Sequence, residues 1–266
     1  MTAVGEKVRH FRVDNLSVEV HPNGKSLGAA AALAAANAMK GLGASLESFG
    51  VIFATGVSQQ DTLEALTGMD DIPWNRVRGF HLDEYVGLPI EHVASFRRYL
   101  RENLTRKVSM MAFDEVDGTA ADADRVCHLY AEKLTAANPQ LCLLGIGENG
   151  HLAFMDPAVA DFDDPRDVKV VKLDTACRMQ QVAEGWFGAV EEVPECAISV
   201  TIPAMLRVPK LIVSVPGSRK AAIIRRTLEG EISTVCPATI LRTHPDATVY
   251  LDQESAAELD GLALLR

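Results

Sequence analysis

Short runs of β-branched and apolar residues recur along this chain, with stretches of helical spacing between several of them, and that alternation leaves few folds open. The apolar runs lie at 11–13, 18–20, 50–54, 77–82, 141–145, 168–173, 197–202, 211–215 and 247–251. Helical patterns occupy 24–40, 58–67, 95–103, 121–136, 218–229 and 254–264. Strands that are apolar on both faces need cover on both faces. The pattern therefore predicts an α/β fold, a single doubly wound, mostly parallel sheet with helices on both sides. No low-complexity linker or internal repeat interrupts it, so residues 1–266 are read as one domain.

Charge and cysteine usage narrow the partners. With 26 basic against 36 acidic residues the net charge is −10, and no segment gathers Lys and Arg densely. A field of that sign repels polyanions, so nucleic acid is not expected as a partner. A small phosphate stays open, because a few local donors outweigh a distant, screened field. The cysteines Cys127, Cys142, Cys177, Cys196 and Cys236 are scattered and form no CxxC pair. They read as free thiols of a reducing compartment, with no metal site expected. Neither the polar N-terminus nor the Ala-rich stretch at 28–39 has the length and apolarity of a signal core or a membrane span. No membrane association and a cytoplasmic location are expected.

Ligands of open α/β sheets sit beyond the carboxyl ends of the strands, which directs attention to the loops there. In the first, Thr55, Gly56 and Ser58 combine a tight turn, two hydroxyls and a helix N-terminus that suit a phosphate. The same residues also make an ordinary strand–helix turn with Ser58 as N-cap. In the second, the adjacent carboxylates Asp83 and Glu84 either supply a proton acceptor beside a hydrogen-bonding group or simply solvate a turn. His81 and Asp83 lack the Glu and the Pro-Cys-x-x-Cys that a zinc nucleobase deaminase needs.

The third loop contains a literal G-x-G-x-x-G at 145–150. Pro157, Pro165 and four nearby aspartates leave no room for the helix that a dinucleotide site must open. Gly150 and its neighbours instead thin the backbone around His151, with Asp156 able to fold back and Glu148 close in sequence. That is an acid/base arrangement. Last come two cations. Lys220 falls in the first turn of a helix, a poor place for positive charge unless an anion joins it. Arg178 is the second, and a surface role is open to both.

Taken in order, LDEYVGLP at 82–89, GIGENGHLAF at 145–154 and PGSRK at 216–220, with ATGVSQ at 54–59, resemble the glucosamine-6-phosphate deaminase and 6-phosphogluconolactonase family over about 51–252. DEYVGLP together with GHLAF is similar to the deaminase side. The resemblance implies a Rossmann-like fold of the sugar-phosphate isomerase type, no cofactor and no metal. It implies a small-molecule hexosamine phosphate as ligand and is compatible with a homo-oligomer. The implied enzyme is a deaminase-like hydrolase that takes glucosamine 6-phosphate, or a close relative, to fructose 6-phosphate and ammonia. By position, Asp83 would be the enolisation base and His151 the acid/base of ring opening, oriented by Asp156, with Asn149 beside them. Thr55, Gly56, Ser58, Lys220 and Arg178 would surround the phosphate, and Glu84, Gly150 and Glu148 would complete the pocket.

This chain has Met155-Asp156-Pro157 where the family commonly has Asn-Glu-Pro. The shorter carboxylate has less reach, so Asp156→Glu is expected to be tolerated or to help. Two alternatives remain: a lactone hydrolase that uses His151 and the phosphate site without a carbon base, and a non-catalytic sugar-phosphate-binding protein.

Overall fold

A computed structural model describes residues 8–259. The chain begins with an antiparallel hairpin of β1 (Arg9–Val13) and β2 (Leu16–His21), then turns to strand–helix alternation. Helix α1 (Gly24–Ser45) leads to β3 (Phe49–Phe53), and α2 (Gln60–Thr67) leads to β4 (Val77–His81). After a three-residue β5 (Asp83–Tyr85), α3 (Phe96–Leu100) continues through a wide turn at Arg101–Thr105 towards β6 (Ala112–Asp114). Helix α4 (Ala123–Ala137) precedes β7 (Leu141–Leu144). Then come β8 (Val168–Lys172), α5 (Thr175–Ala183), β9 (Cys196–Val200) and α6 (Ile202–Leu206). β10 (Lys210–Val215), α7 (Ala221–Glu229) and β11 (Ala247–Asp252) complete the sheet.

The main sheet runs β1-β2-β11-β10-β7-β3-β4-β6, and every pairing beyond the β1–β2 hairpin is parallel. Period-two alternation sorts its side chains into two cores. Val51, Phe53, Leu141, Leu143 and Ile212 face one side, under α1, α2 and the α3 region. Ile52, Cys142, Leu144, Leu211 and Val213 face the other, with residues of α4, α6 and α7. Helix α1 starts in a capping box, in which Asn23 Oδ1 accepts from Ser26 N at 2.9 Å and Ser26 Oγ accepts from Asn23 N at 3.2 Å. Its buried face is mostly alanine, and Gly28 meets α2 so closely that a Cβ would stand 2.5 Å from that of Asp61.

The expected doubly wound sheet is therefore present, with one redistribution. The strands expected near 168–173 and 197–202 do form, but they leave the main sheet. β5, β9 and β8 make a second, antiparallel sheet. Its apolar residues Val168, Val171, Ala197 and Ile198 pack into the core on the α4 side, where it serves as a covering layer. Only Leu82 separates β4 of the first sheet from β5 of the second. An aromatic seam fixes this junction: Tyr85 lies 5.1, 5.0 and 5.6 Å from the ring centres of Phe96, Phe154 and Phe187. Of the helix expected at 254–264, residues 254–259 form turns and the remainder lie outside the described residues. Among the described residues no helix is long and apolar enough to cross a membrane.

Candidate active site

The chain runs outward from β3 through β4 to β6 on one side, and through β7, β10 and β11 on the other. Parallel strands that diverge in this way open a crevice beyond their carboxyl ends. A cleft of about 460 Å³ lies there, lined by Thr55, Gly56, Ser58, Asp83, His151 and Lys220 among others.

Two walls of the cleft have the same construction. After β3, Gly56 (φ 93°, ψ 176°) is followed by a single tight turn at Val57–Gln59 and then α2. After β10, Gly217 (φ 92°, ψ 153°) is followed by a single tight turn at Ser218–Lys220 and then α7. Those φ values belong to glycine, and nothing blocks a side chain at either position except the backbone itself. Each turn offers a helix start to the cleft. Lys220 is 8% exposed, yet no partner holds its ammonium among the described residues. Burial lowers its pKa, with the charges of Glu184 and Glu148 acting against that shift. A buried cation beside two helix starts has the chemistry to hold an anion.

Across the cleft stands Asp83, buried at the start of β5 with its carboxylate meeting no donor among the described residues. Burial first, and then the neighbouring Glu84, push its pKa well above the usual carboxylate range. Successive strand residues point to opposite faces, and Glu84 points inward. Its carboxylate accepts from Tyr85 N and Phe96 N at 3.0 and 3.1 Å, and from Ser95 Oγ and Arg97 N at 2.8 and 2.9 Å. Glu84 is thus the anchor for the start of α3 and not a wall of the cleft, which corrects its expected place.

His151 is held by its own loop. Gly147 N donates to His151 O and Gly150 N to Gly147 O, each at 3.0 Å, while Asn149 Oδ1 accepts from His151 N at 3.1 Å. This folds the imidazole flat over Gly147, whose absent Cβ would lie 2.2 Å from the ring. His151 Nδ1 lies 3.0 Å from Asp156 Oδ1, off the angle of a good hydrogen bond, so the carboxylate faces the ring nitrogen and would pair with it as an ion pair only when the imidazole is protonated. Burial raises the Asp156 pKa, but contact with His151, helped by Asn149 and the Asp174 amide, outweighs it and holds the carboxyl below its usual value.

Asn149, Gly150 and Asp156 therefore sit behind the imidazole. Asn149 Nδ2 bridges Asp156 at 2.9 Å and Asp174 at 3.3 Å. Asp156 reaches its histidine despite the missing methylene, and it is fully buried. The expectation that a glutamate would help gives way to the opposite one. Asp156→Glu must place an extra methylene in a closed space and push the ring, so kcat is expected to fall about tenfold or more, overpacking here costing ~1–3 kcal/mol. Steady-state kinetics with an unchanged kcat would remove the steric argument.

Two further residues lie elsewhere than expected. Arg178 donates to the carbonyls of Val190 and Val193 at 2.6 and 2.9 Å, bracing the segment after α5, and it does not line the cleft. Glu148 stands 3.4 Å from Arg219, which also reaches Glu184 at 4.0 Å. Sequence reading missed Gln180, Glu184 and Trp186, which line the cleft from α5 and the turn after it. Asp174, whose side chain accepts from Cys177 N at 2.6 Å, is the N-cap that could have revealed this helix. Gln59 was missed as well. Fully buried, it donates to Leu144 O at 2.9 Å and ties the β3 loop to the end of β7.

The family model for glucosamine-6-phosphate isomerases/6-phosphogluconolactonase matches residues 22–250. The glucosamine-6-phosphate deaminase of Streptomyces avermitilis is 36% identical over 212 residues, covering 77% of this chain and 80% of its own. That of Halothermothrix orenii is 32% identical over 209 residues, covering 77% and 85%. A solved monomeric glucosamine-6-phosphate deaminase superposes with a TM-score of 0.83 at 26% identity, covering 91% of this chain and 99% of its own. The 6-phosphogluconolactonase of Trypanosoma brucei, at 20% identity and a TM-score of 0.74 over 91% and 98%, shares the fold. With sequence and fold agreeing over most of its length, this chain belongs to the glucosamine-6-phosphate isomerase/6-phosphogluconolactonase family of enzymes.

Proposed function

We propose that the protein is an isomerising deaminase that converts glucosamine 6-phosphate, or a close hexosamine 6-phosphate, and water into fructose 6-phosphate and ammonia. The observation that carries this is Asp83, a bare, buried carboxylate whose raised pKa suits a general base, facing the same cleft as an unpartnered lysine. In this reading Lys220, Thr55, Ser58 and the backbone around Gly56 and Gly217 hold the phosphate. His151, backed by Asp156, moves the proton between the anomeric hydroxyl and the ring oxygen, and the ring opens. Asp83 takes the C2 proton and returns it to C1, while a proton passes from the C2 amino group to the C1 oxygen, which leaves an imine at C2 beside a C1 hydroxymethyl group. Water adds there and ammonia departs. Proton transfers suffice for each step, so no metal is assigned a role. Because water enters only after the hydrogen has shifted from C2 to C1, isomerising deaminase describes the chemistry better than hydrolase.

A lactone hydrolase would use the phosphate end and His151 but has no task for a carbon base. The names of the relatives at 32–36% identity support the deaminase reading as well. The direct test is ammonia release from a panel of hexosamine 6-phosphates, run beside hydrolysis of 6-phosphogluconolactone. Lactone hydrolysis without ammonia release would overturn the proposal.

Lys220→Ala should act mainly on KM. A phosphate handle is gripped alike in the ground and transition states, so its loss weakens binding and leaves saturated turnover nearly intact. A charge-assisted hydrogen bond contributes ~1.5–3 kcal/mol, hence a rise in KM of roughly 10–100-fold. Equal KM for the phosphorylated and unphosphorylated sugar in the unaltered enzyme would contradict this use of the lysine.

A further inference from the structure

Behind the imidazole lies a group that the proton chemistry above does not use. Cys177, in the first turn of α5, is 1% exposed, and its sulfur shares a pocket with His151 and Asp156. One ligand atom from each residue, the His151 ring nitrogen, an Asp156 carboxylate oxygen and the Cys177 sulfur, lies within 4.8 Å of the other two. We propose that His151, Asp156 and Cys177 form a binding site for a thiophilic divalent cation of the zinc class, and that its occupancy stops turnover.

The donor set selects the ion. One imidazole, one carboxylate and one thiolate suit a borderline or soft cation and do not suit calcium or magnesium, which take oxygen ligands. Zinc bonds to nitrogen and oxygen at about 2.0–2.2 Å and to sulfur at about 2.3 Å, so ligand atoms of one site stand roughly 3–4 Å apart. The 3.0 Å between His151 Nδ1 and Asp156 Oδ1 is near that spacing already, and Cys177 Sγ, within 4.8 Å of both, has to draw closer for one ion to bind all three. Nδ1 is buried without a well-aligned hydrogen bond, so an ion replaces a poor contact and not a good one.

The surroundings favour positive charge. Asp156 and Asp174 share Asn149 as a donor, and their charges, after burial itself, push the Cys177 thiol upward. A dication arriving from the cleft through the His151 side displaces the thiol proton to solvent. It satisfies the two carboxylates together with the new thiolate. The outer partners are in place too: Asn149 steadies Asp156, and the Asp174 amide approaches Asp156 Oδ2 at 3.4 Å. With Nδ1 bound to the ion, the imidazole no longer has Asp156 free beside it to stabilise the proton it takes up. This last step rests on the role given to His151 under the proposed function, whereas the binding itself does not.

Cobalt(II) is the probe, because a thiolate bound to it gives a near-ultraviolet charge-transfer band. The full-length enzyme should develop that band to one equivalent, and zinc should bleach it. Cys177→Ser should abolish it, while Cys196→Ser, which alters a partly exposed thiol on β9, should keep it. Asp156→Asn should weaken cobalt binding tenfold or more, with circular dichroism confirming that each variant is folded. Zinc should inhibit the unaltered enzyme, reversibly on chelation, and Cys177→Ser should need at least tenfold more zinc relative to its own metal-free rate. No band in the unaltered enzyme, or a band that survives Cys177→Ser, overturns the site. A band with no inhibition overturns the switch. An enzyme without deaminase activity that still shows the Cys177-dependent band would refute the proposed function and leave the metal site standing.

Discussion

Asp83→Asn is expected to abolish C2 proton exchange and, in the same molecule, to make the fold more stable. Asparagine keeps the shape and cannot accept a proton, so turnover should fall about 10²–10⁴-fold, while sugar-phosphate binding, held at the other end of the cleft, changes little. The stability gain follows from the raised pKa. In the unfolded chain the carboxyl ionises near its ordinary value of 3.8, whereas in the fold burial, and then Glu84, hold it protonated to well above that. Between those two values the native state carries the extra proton, so stability falls as pH rises through the window. Removing the group removes the liability. The Tm of the variant should exceed that of the unaltered enzyme near neutral pH, with the gap closing as pH falls towards about 4. Exchange of the C2 hydrogen with solvent, followed by NMR, together with thermal melts across that range, checks both halves. Retained exchange would take Asp83 out of the mechanism. A lowered Tm whose deficit ignores pH would show that its carboxylate is not held against its solvation.

The second large effect comes from a residue with no side chain. A methyl group at Gly147 would stand 2.2 Å from Cε1 and Nε2 of His151 and 2.4 Å from Nδ1, so Gly147→Ala must turn the imidazole aside. The backbone at Gly147 has no positive φ, and alanine can adopt it without strain. The loop hydrogen bonds can therefore persist while the ring moves. A misplacement near 1 Å costs a reacting group on the order of 10²-fold, and the loss should fall on kcat with KM nearly unchanged. Steady-state kinetics decide the matter. A kcat equal to that of the unaltered enzyme would mean that the ring position over Gly147 is irrelevant to the reaction.

Sequence alone carried the main sheet because β3, β7 and β10 are buried on both faces and read as continuous apolar runs. It could not say that β8 and β9 pair apart from that sheet. The third strand of their sheet, β5, which pairs with β9, is three residues long and contains two acids, so it reads as a loop. Alternation by itself could not rank Asp83 against Glu84, although the family resemblance put Asp83 first. Alternation says that they face opposite ways, but which face meets the cleft depends on how the chain leaves β4. Arg178 shows the reverse difficulty: a cation near a candidate site satisfied backbone carbonyls instead, a choice made by the path of the segment at 185–193. The His151–Asp156 contact was legible as a possibility, since both lie on one loop. The glycine that seats the ring was visible only as part of a motif.

The passage of the chain from one sheet to the other at Leu82 has a bearing on how such an enzyme could change its diet. On the reading proposed above, Asp83 on the small sheet is the carbon base and Lys220, after β10 of the large sheet, holds the phosphate, so the length of sugar that fits between them would depend on how the two sheets rest together. That spacing is set by Tyr85, Phe96, Phe154 and Phe187, and of these Tyr85 and Phe187 never touch the cleft. Selection for a longer or shorter substrate would therefore find heritable variation inside the protein, in packing that an inspection of the binding surface passes over.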